Sequence, residues 1–164
     1  MLVNHEQVLA FLPHRDPFLF IDTVDRIELP ASLAGKKGPF TFAELIGAKV
    51  VCNFNVRPTV KVLEGHFPGY PILPGVVQVE MMAQGAAFIV VHAVDKPIHE
   101  AKLDVALLAV EKARFRKPVL PGMELEIHSV LTRVRGPIQS YDCQIFSAGE
   151  LVSESSVMAS IKIT

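Results

Sequence analysis

The 164-residue chain reads as an α+β protein in which one long apolar helix is wrapped by a mainly antiparallel sheet. Three observations lead there. Glu80 is the only formally charged residue from Val76 to Val91. From Leu103 to the C-terminal region the pattern is strand after strand, with nothing helical of comparable length. A helix that is apolar on all sides needs cover on all sides, and a sheet curled around it supplies that cover.

Taken in order, Asn4 caps a short helix, with Gln7 as its capping-box partner and Val8, Leu9, Phe11 and Leu12 forming an apolar face that Pro13 ends. After Pro13-His14-Arg15-Asp16-Pro17, residues Phe18 to Val24 form one strand candidate and Lys49 to Val56 a second. The connection from Leu29 to Gly47 is too long for a tight hairpin. It holds the loop signal Gly35-Lys36-Lys37-Gly38-Pro39, then Phe40 to Ile46, which forms a helical turn or caps a pocket. The long helix begins near Pro74, where proline costs no intrahelical hydrogen bond, and stops by Asp95-Lys96-Pro97. Strands follow at about Leu103 to Arg116, Glu124 to Arg133, Ile138 to Phe146 and Leu151 to Ile163, punctuated by Pro121-Gly122, Gly136-Pro137 and Ala148-Gly149.

Composition bounds the function. One domain spanning residues 1–164 suffices for a core without metal or disulfide support. Half of the residues are apolar, a fifth are charged and the net charge is −1, so no global sign of nucleic-acid binding exists. Cys52 and Cys143 lie in strand-like runs without metal-ligand spacing and read as reduced core thiols. The N-terminus lacks a basic and then apolar leader pattern, which makes the expected location cytoplasmic. The stretch from Pro71 to Val94 approaches membrane-spanning length, but Gln78, Glu80, Gln84 and His92 within it argue for a buried helix of a soluble core.

Chemistry concentrates at Gly65-His66-Phe67-Pro68-Gly69-Tyr70-Pro71-Ile72-Leu73-Pro74-Gly75 and the helix behind it. Three glycines and three prolines fix an irregular backbone that holds the His66 side chain in one place, as a base working near neutral pH requires. The remaining histidines weighed, His5, His92, His99 and His128, read as structural or exposed. Glu80 is costly as an isolated ionised carboxylate in an apolar helix, so it pairs, hydrogen-bonds or stays protonated, and the expectation is a raised pKa. Gln84 lies four residues on along the same face, within reach to orient it. At Gly75 the first N–H groups of the helix have no intrahelical acceptor and point at whatever carbonyl is brought there.

These residues resemble the FabZ type of 3-hydroxyacyl-[acyl-carrier-protein] dehydratases, a family with the hot-dog fold. The resemblance rests on Leu12-Pro13-His14-Arg15 with Pro17-Phe18-Leu19 and Asp22; on Gly65-His66-Phe67-Pro68-Gly69 with Pro71 and Pro74-Gly75-Val76; on Glu80 with Met82-Ala83-Gln84; and on Lys112-Ala113-Arg114-Phe115-Arg116 with Pro118-Val119 and Pro121-Gly122. The related FabA type, which also isomerises the double bond, carries aspartate where this chain has Glu80. The resemblance implies dehydration of a (3R)-3-hydroxyacyl thioester to the trans-2-enoyl product in fatty acid biosynthesis, without a cofactor or metal. His66 takes the C2 proton and Glu80, directly or through water, protonates the departing hydroxyl. The Gly75 N–H holds the thioester oxygen, Gln84 orients Glu80, and the Val76 carbonyl sets the His66 tautomer.

It also implies a homodimer that pairs His66 of one subunit with Glu80 of the other, with trimers of dimers common in the family. The acyl group arrives on an acidic carrier protein, for which Arg114, Arg116 and Lys117 form a candidate basic rim, with Lys36 and Lys37 as additions. Phe67 and the small Ala83, Ala86 and Ala87 line an acyl tunnel or pack the core. The chain departs from the family pattern in the long Leu29 to Gly47 segment, at Ala106-Leu107-Leu108-Ala109 and at Asp16. Alternative readings are a hot-dog thioesterase, a CoA-dependent enoyl hydratase and a non-catalytic acyl-binding subunit.

Overall fold

The structure is a computed structural model that describes residues 1–163. Asn4 accepts from the Gln7 N–H and the Gln7 side chain accepts from the Asn4 N–H, so the capping box opens α1 (His5–Phe11) as the sequence predicts. β1 (Thr23–Glu28) and β2 (Lys49–Asn55) form an antiparallel pair. A one-turn helix not foreseen, α2 (Val62–Gly65), delivers the chain to His66. The central helix α3 (Gly75–Ala86) continues as a 3₁₀ segment, Ala87–His92. β3 (Leu103–Phe115), β4 (Glu124–Arg135), β5 (Ile138–Ser147) and β6 (Glu150–Ile163) complete the chain.

The six strands make one sheet in the order β1-β2-β4-β5-β6-β3, every pair antiparallel. Alternation aims one face of each central strand at α3: Leu125, Ile127 and Leu131 from β4, Tyr141, Cys143 and Ile145 from β5, and Val157, Ala159 and Ile161 from β6 are all buried. The helix answers with Val77, Val79, Met81, Met82 and Ala86, and beyond it Phe88, Ile89 and Val90. The helix lies close to the sheet at Gly85, where a Cβ would come into ordinary contact with Cys52 Sγ at 3.4 Å and Ile127 at 3.5 Å. The run Gly75–His92 has the length and mean hydropathy of a membrane span, but 67% of it is buried inside the domain, so it is the core helix.

The first strand differs from expectation. It begins at Thr23, not at Phe18, because the polar backbone of residues 18 to 20 is satisfied by a side chain: the Phe20 N–H donates to Gln84 Oε1 and the Phe18 carbonyl accepts from Gln84 Nε2, both at 2.9 Å. The connection between β1 and β2 is a cap. Its Leu33, Phe40 and Leu45 are buried, and the Phe40 N–H donates to the His92 carbonyl at 2.9 Å, which covers the far end of the central helix. Cys52 and Cys143 are buried free thiols, and burial pushes both thiol pKa values up.

β3 is an edge strand with an apolar surface. Leu107, Leu108, Val110 and Phe115 are exposed there, as is Val76 on the first turn of α3 at 77%. The strand is also twice irregular, with register shifts between Leu107 and Ala109 and between Glu111 and Arg114.

Candidate active site

His66 sits at the C-cap of α2, and its ring is fixed by its own loop. Nδ1 lies 2.8 Å from the Ile72 carbonyl. A carbonyl only accepts, so Nδ1 carries a proton, and in the neutral ring Nε2 is then the nitrogen with the lone pair, the form a base needs. The Ile72 N–H in turn donates to the His66 carbonyl at 2.7 Å, which closes the loop on itself. This corrects the expectation for Val76: Ile72 supplies the tautomer-setting carbonyl, because the loop folds back before the helix starts and leaves Val76 facing outward. Phe67 stacks on the imidazole, ring centroids 4.0 Å apart, and is itself half exposed.

The His66 ring opens on a cavity of about 280 Å³ lined also by Gly75, Gln78, Phe115, Arg116 and Lys117. Neither the Gly75 nor the Val76 N–H has an acceptor among the described residues. Packing also bears on Gly75: a Cβ there would lie 2.8–2.9 Å from the half-exposed Phe115 ring, which would have to shift to admit it. Of the basic residues singled out, Arg116 and Lys117 stand at this cavity, whereas Arg114 lines a separate groove on the outer face of the sheet. All three face carboxylates. Arg116 binds Glu154 at 2.5 Å, Arg114 lies 4.0 Å from the same carboxylate, and Lys117 pairs with Glu150.

Glu80 belongs to another cavity, of about 300 Å³, with Leu12, His14, Phe18, Ala83, Gln84 and Leu107 in its wall. Gln84 Nε2 donates to Glu80 Oε1 at 2.9 Å, as its place four residues on predicts. His14 Nε2 reaches the same oxygen at 3.2 Å. Burial pushes the Glu80 carboxyl up, but the hydrogen bonds from His14 and Gln84 outweigh it, and its pKa lies below the ordinary carboxylate value. The expected upward shift is therefore reversed, because the apolar run hid a donor supplied from another part of the chain.

His14 was missed as a site residue although it stood in the matched motif. Its signal is the one that singled out His66, a histidine bracketed by prolines, Pro13 and Pro17. The Arg15 guanidinium locks the turn by donating to the Leu12 and His14 carbonyls at 2.8 and 2.6 Å. Ala83 and Ala87 do line the Glu80 cavity, while Ala86 packs in the core.

Within one chain the two cavities are separate, and the reason is helical geometry. Gln78 at the His66 cavity and Glu80 at the other are about 200° apart around the helix. Imidazole and carboxyl thus flank opposite sides of α3.

Comparisons with known proteins identify the family and the fold. The ApeI-like family model, described as ApeI dehydratase, matches residues 44–155. A 3-hydroxyacyl-[acyl-carrier-protein] dehydratase FabZ of Rickettsia akari is 33% identical over 99% of this chain and 98% of its own length. The bifunctional enzyme LpxC/FabZ of Chlorobaculum tepidum is 37% identical over 92% of this chain, which spans only 28% of that longer protein. Among solved structures, the dehydratase heterocomplex ApeI:P of Xenorhabdus doucetiae superposes with a TM-score of 0.64 at 18% identity, covering 94% of this chain and 90% of that one. A thioesterase superfamily member of Thermus thermophilus superposes at 0.56, also at 18% identity, over 71% of this chain and 82% of that one. At those identities the solved structures establish the fold alone, and the near full-length FabZ relative establishes the rest: the chain belongs to the hot-dog dehydratases of the FabZ and ApeI-like type.

Proposed function

We propose that the protein removes water from a (3R)-3-hydroxyacyl thioester on an acyl carrier protein, giving the trans-2-enoyl thioester for fatty acid synthesis. The observation that carries the reading is the complementary preparation of the two groups: an imidazole with a bare Nε2, and a carboxyl group anchored through one oxygen. The Gly75 N–H holds the thioester oxygen and makes the C2 proton acidic, and His66 Nε2 removes that proton. The C3–O bond then breaks as the C2–C3 double bond forms.

Elimination of water consumes no net proton, since the hydrogen leaving C2 and the hydroxide leaving C3 sum to one water. Glu80 starts ionised, the state that the donors from His14 and Gln84 favour. Its carboxylate accepts a hydrogen bond from the 3-hydroxyl, holds it beside the protonated imidazole, and relays that proton to the departing oxygen. This revises the sequence expectation of a resident proton on Glu80.

One helix presents the two groups on opposite sides, so a second copy of the chain completes each site, His66 facing the partner's carboxyl. The exposed apolar residues Val76, Leu107, Val110 and Phe115 fit that contact. Arg116 and Lys117, at the rim of the His66 cavity, are placed to receive an acidic carrier, exchanging their internal carboxylate partners for its charges. A cytoplasmic location goes with that substrate.

The test is a product assay: incubate a 3-hydroxyacyl carrier protein and follow the enoyl thioester against free acid. Enoyl product supports the reading, and hydrolysis without it points to a thioesterase.

A further inference from the structure

We infer that His14 is a positioning residue for the reaction: together with Gln84 it fixes Glu80 by one carboxyl oxygen, so that the other alone meets the substrate hydroxyl. The inference rests on the dehydratase reading, and it adds a third ionisable side chain to the two that the sequence singles out.

Two donors converge on Glu80 Oε1, the His14 ring at 3.2 Å and the Gln84 amide at 2.9 Å. Oε2 takes no partner among the described residues. A carboxylate held twice through one oxygen cannot turn about its terminal bond without losing both contacts, so which oxygen works is settled before substrate arrives. Gln84 cannot drift either. Its second amide hydrogen goes to the Phe18 carbonyl and its oxygen receives the Phe20 N–H, which fixes the orientation of the amide group.

The His14 ring has one defined role in this network. Carboxylate oxygen accepts, so Nε2 is the donor. Nδ1 is buried and has no partner among the described residues, so among them the Nε2 contact is the one polar interaction that orients the ring. A ring placed so is a dedicated donor to Glu80 and not a member of a longer relay.

Among the described residues of one chain, His14 is the one other ionisable side chain in this cavity, and the partner copy's imidazole, which the dehydratase reading brings to Glu80, is the same in every His14 variant. From α3 the cavity receives Glu80 and the neutral Gln84, and from the edge strand β3 it receives Val105 and Leu107. From the loop it receives His14, whose neighbours are engaged elsewhere: Arg15 donates to carbonyls and Asp16 pairs with Lys61. Removing the His14 donor therefore acts on Glu80 alone. Burial then opposes ionisation with one donor fewer against it, and the Glu80 pKa rises.

The ring nitrogen that makes the contact supplies the test. Glutamine places an amide nitrogen near the position of Nε2, and asparagine places one near Nδ1. In the full chain, His14→Gln should keep kcat within about threefold of the parent, and His14→Asn should lose about tenfold or more with KM little changed, as expected for an interaction spent on the transition state. Independently of turnover, a carbon-13 NMR titration of the Glu80 carboxyl should move upward in His14→Asn and return toward the parent in His14→Gln.

Equal activity of the two variants, or an identical Glu80 titration in both, overturns the inference. If the asparagine variant does not fold, His14→Leu replaces it with the same expectations. The titration needs no substrate, so failure of the dehydration reading, seen as no enoyl product from the parent protein, is distinguishable from failure of this one.

Discussion

The two sides of the central helix prepare their reactive groups in opposite ways. On one side, His66 is held by neighbours close in sequence: its ring bonds to the Ile72 carbonyl, stacks on Phe67 and stays partly open to a cavity. On the other, Glu80 is held by a group brought from the N-terminal loop, and by a glutamine that also clamps that loop. A base needs only one correct tautomer and access, which a short braced loop provides. A carboxylate in an apolar wall must have its charge answered, and that takes donors from elsewhere in the fold. The difference explains why the Glu80–Gln84 pair was readable from its helical spacing while the histidine donor that answers the carboxylate's charge was not.

The largest effect that breaks this comparison is removal of either reactive group. His66→Ala and Glu80→Gln should each lower kcat by roughly 10²–10⁴, measured as enoyl thioester formed, with circular dichroism unchanged. If both retain near-normal rates, the roles assigned to them are wrong. Mixing the two inactive variants sharpens the point. With sites shared between copies, random dimers should recover about a quarter of parental activity, since half are mixed and each mixed dimer has one intact site of two. No recovery would mean that each chain builds its own site.

Next in size is the anchor itself. Gln84→Leu removes the partner of the buried Phe20 N–H and one donor to Glu80. It should cost about 1–3 kcal/mol in urea unfolding and raise the Glu80 pKa. On the opposite side, Gly75→Ala drives a methyl group into the Phe115 ring. The expected loss is also of the order of 1–3 kcal/mol, and adding Phe115→Leu should recover most of it while Gly75→Ala alone does not.

The smallest effect is acid dependence. Glu80 titrates below its ordinary value of 4.5 in the folded protein. Between those two values the unfolded chain binds more protons than the native one, so the contribution of Glu80 to stability is complete above pH 4.5 and is lost as pH falls through the folded value. Urea midpoints of the parent and of Glu80→Gln should therefore converge as pH is lowered through that window. A constant separation would show that the carboxylate is not held by donors.

Much of the fold was legible in the residues. Strand limits from Leu103 onward match the sequence expectation to within about two residues, and in β4, β5 and β6 the reason is the alternation of buried side chains that half-buried antiparallel strands write as a period of two. The short helix at the N-terminus was legible through Asn4 and Gln7, whose hydrogen bonds are local. The strand assigned to Phe18 to Val24 was half right: its composition is β-like, but the first part finds its partner in a glutamine side chain and not in a neighbouring strand.

What the sequence determined by itself is what is local: the apolar helix that needed a sheet around it, the proline-braced loop that holds His66, and the place of Gln84 one turn beyond Glu80. The tertiary structure alone decided which groups complete the carboxylate's shell, since residues 18 and 20 reach Gln84 across sequence separations of 66 and 64. It decided likewise that His14 meets Glu80 from the N-terminal loop. The physical reason is common to both: caps, helix faces and strand alternation are fixed by bonds between near neighbours, whereas the ionisation of a half-buried carboxyl depends on donors that only a closed chain can bring to it.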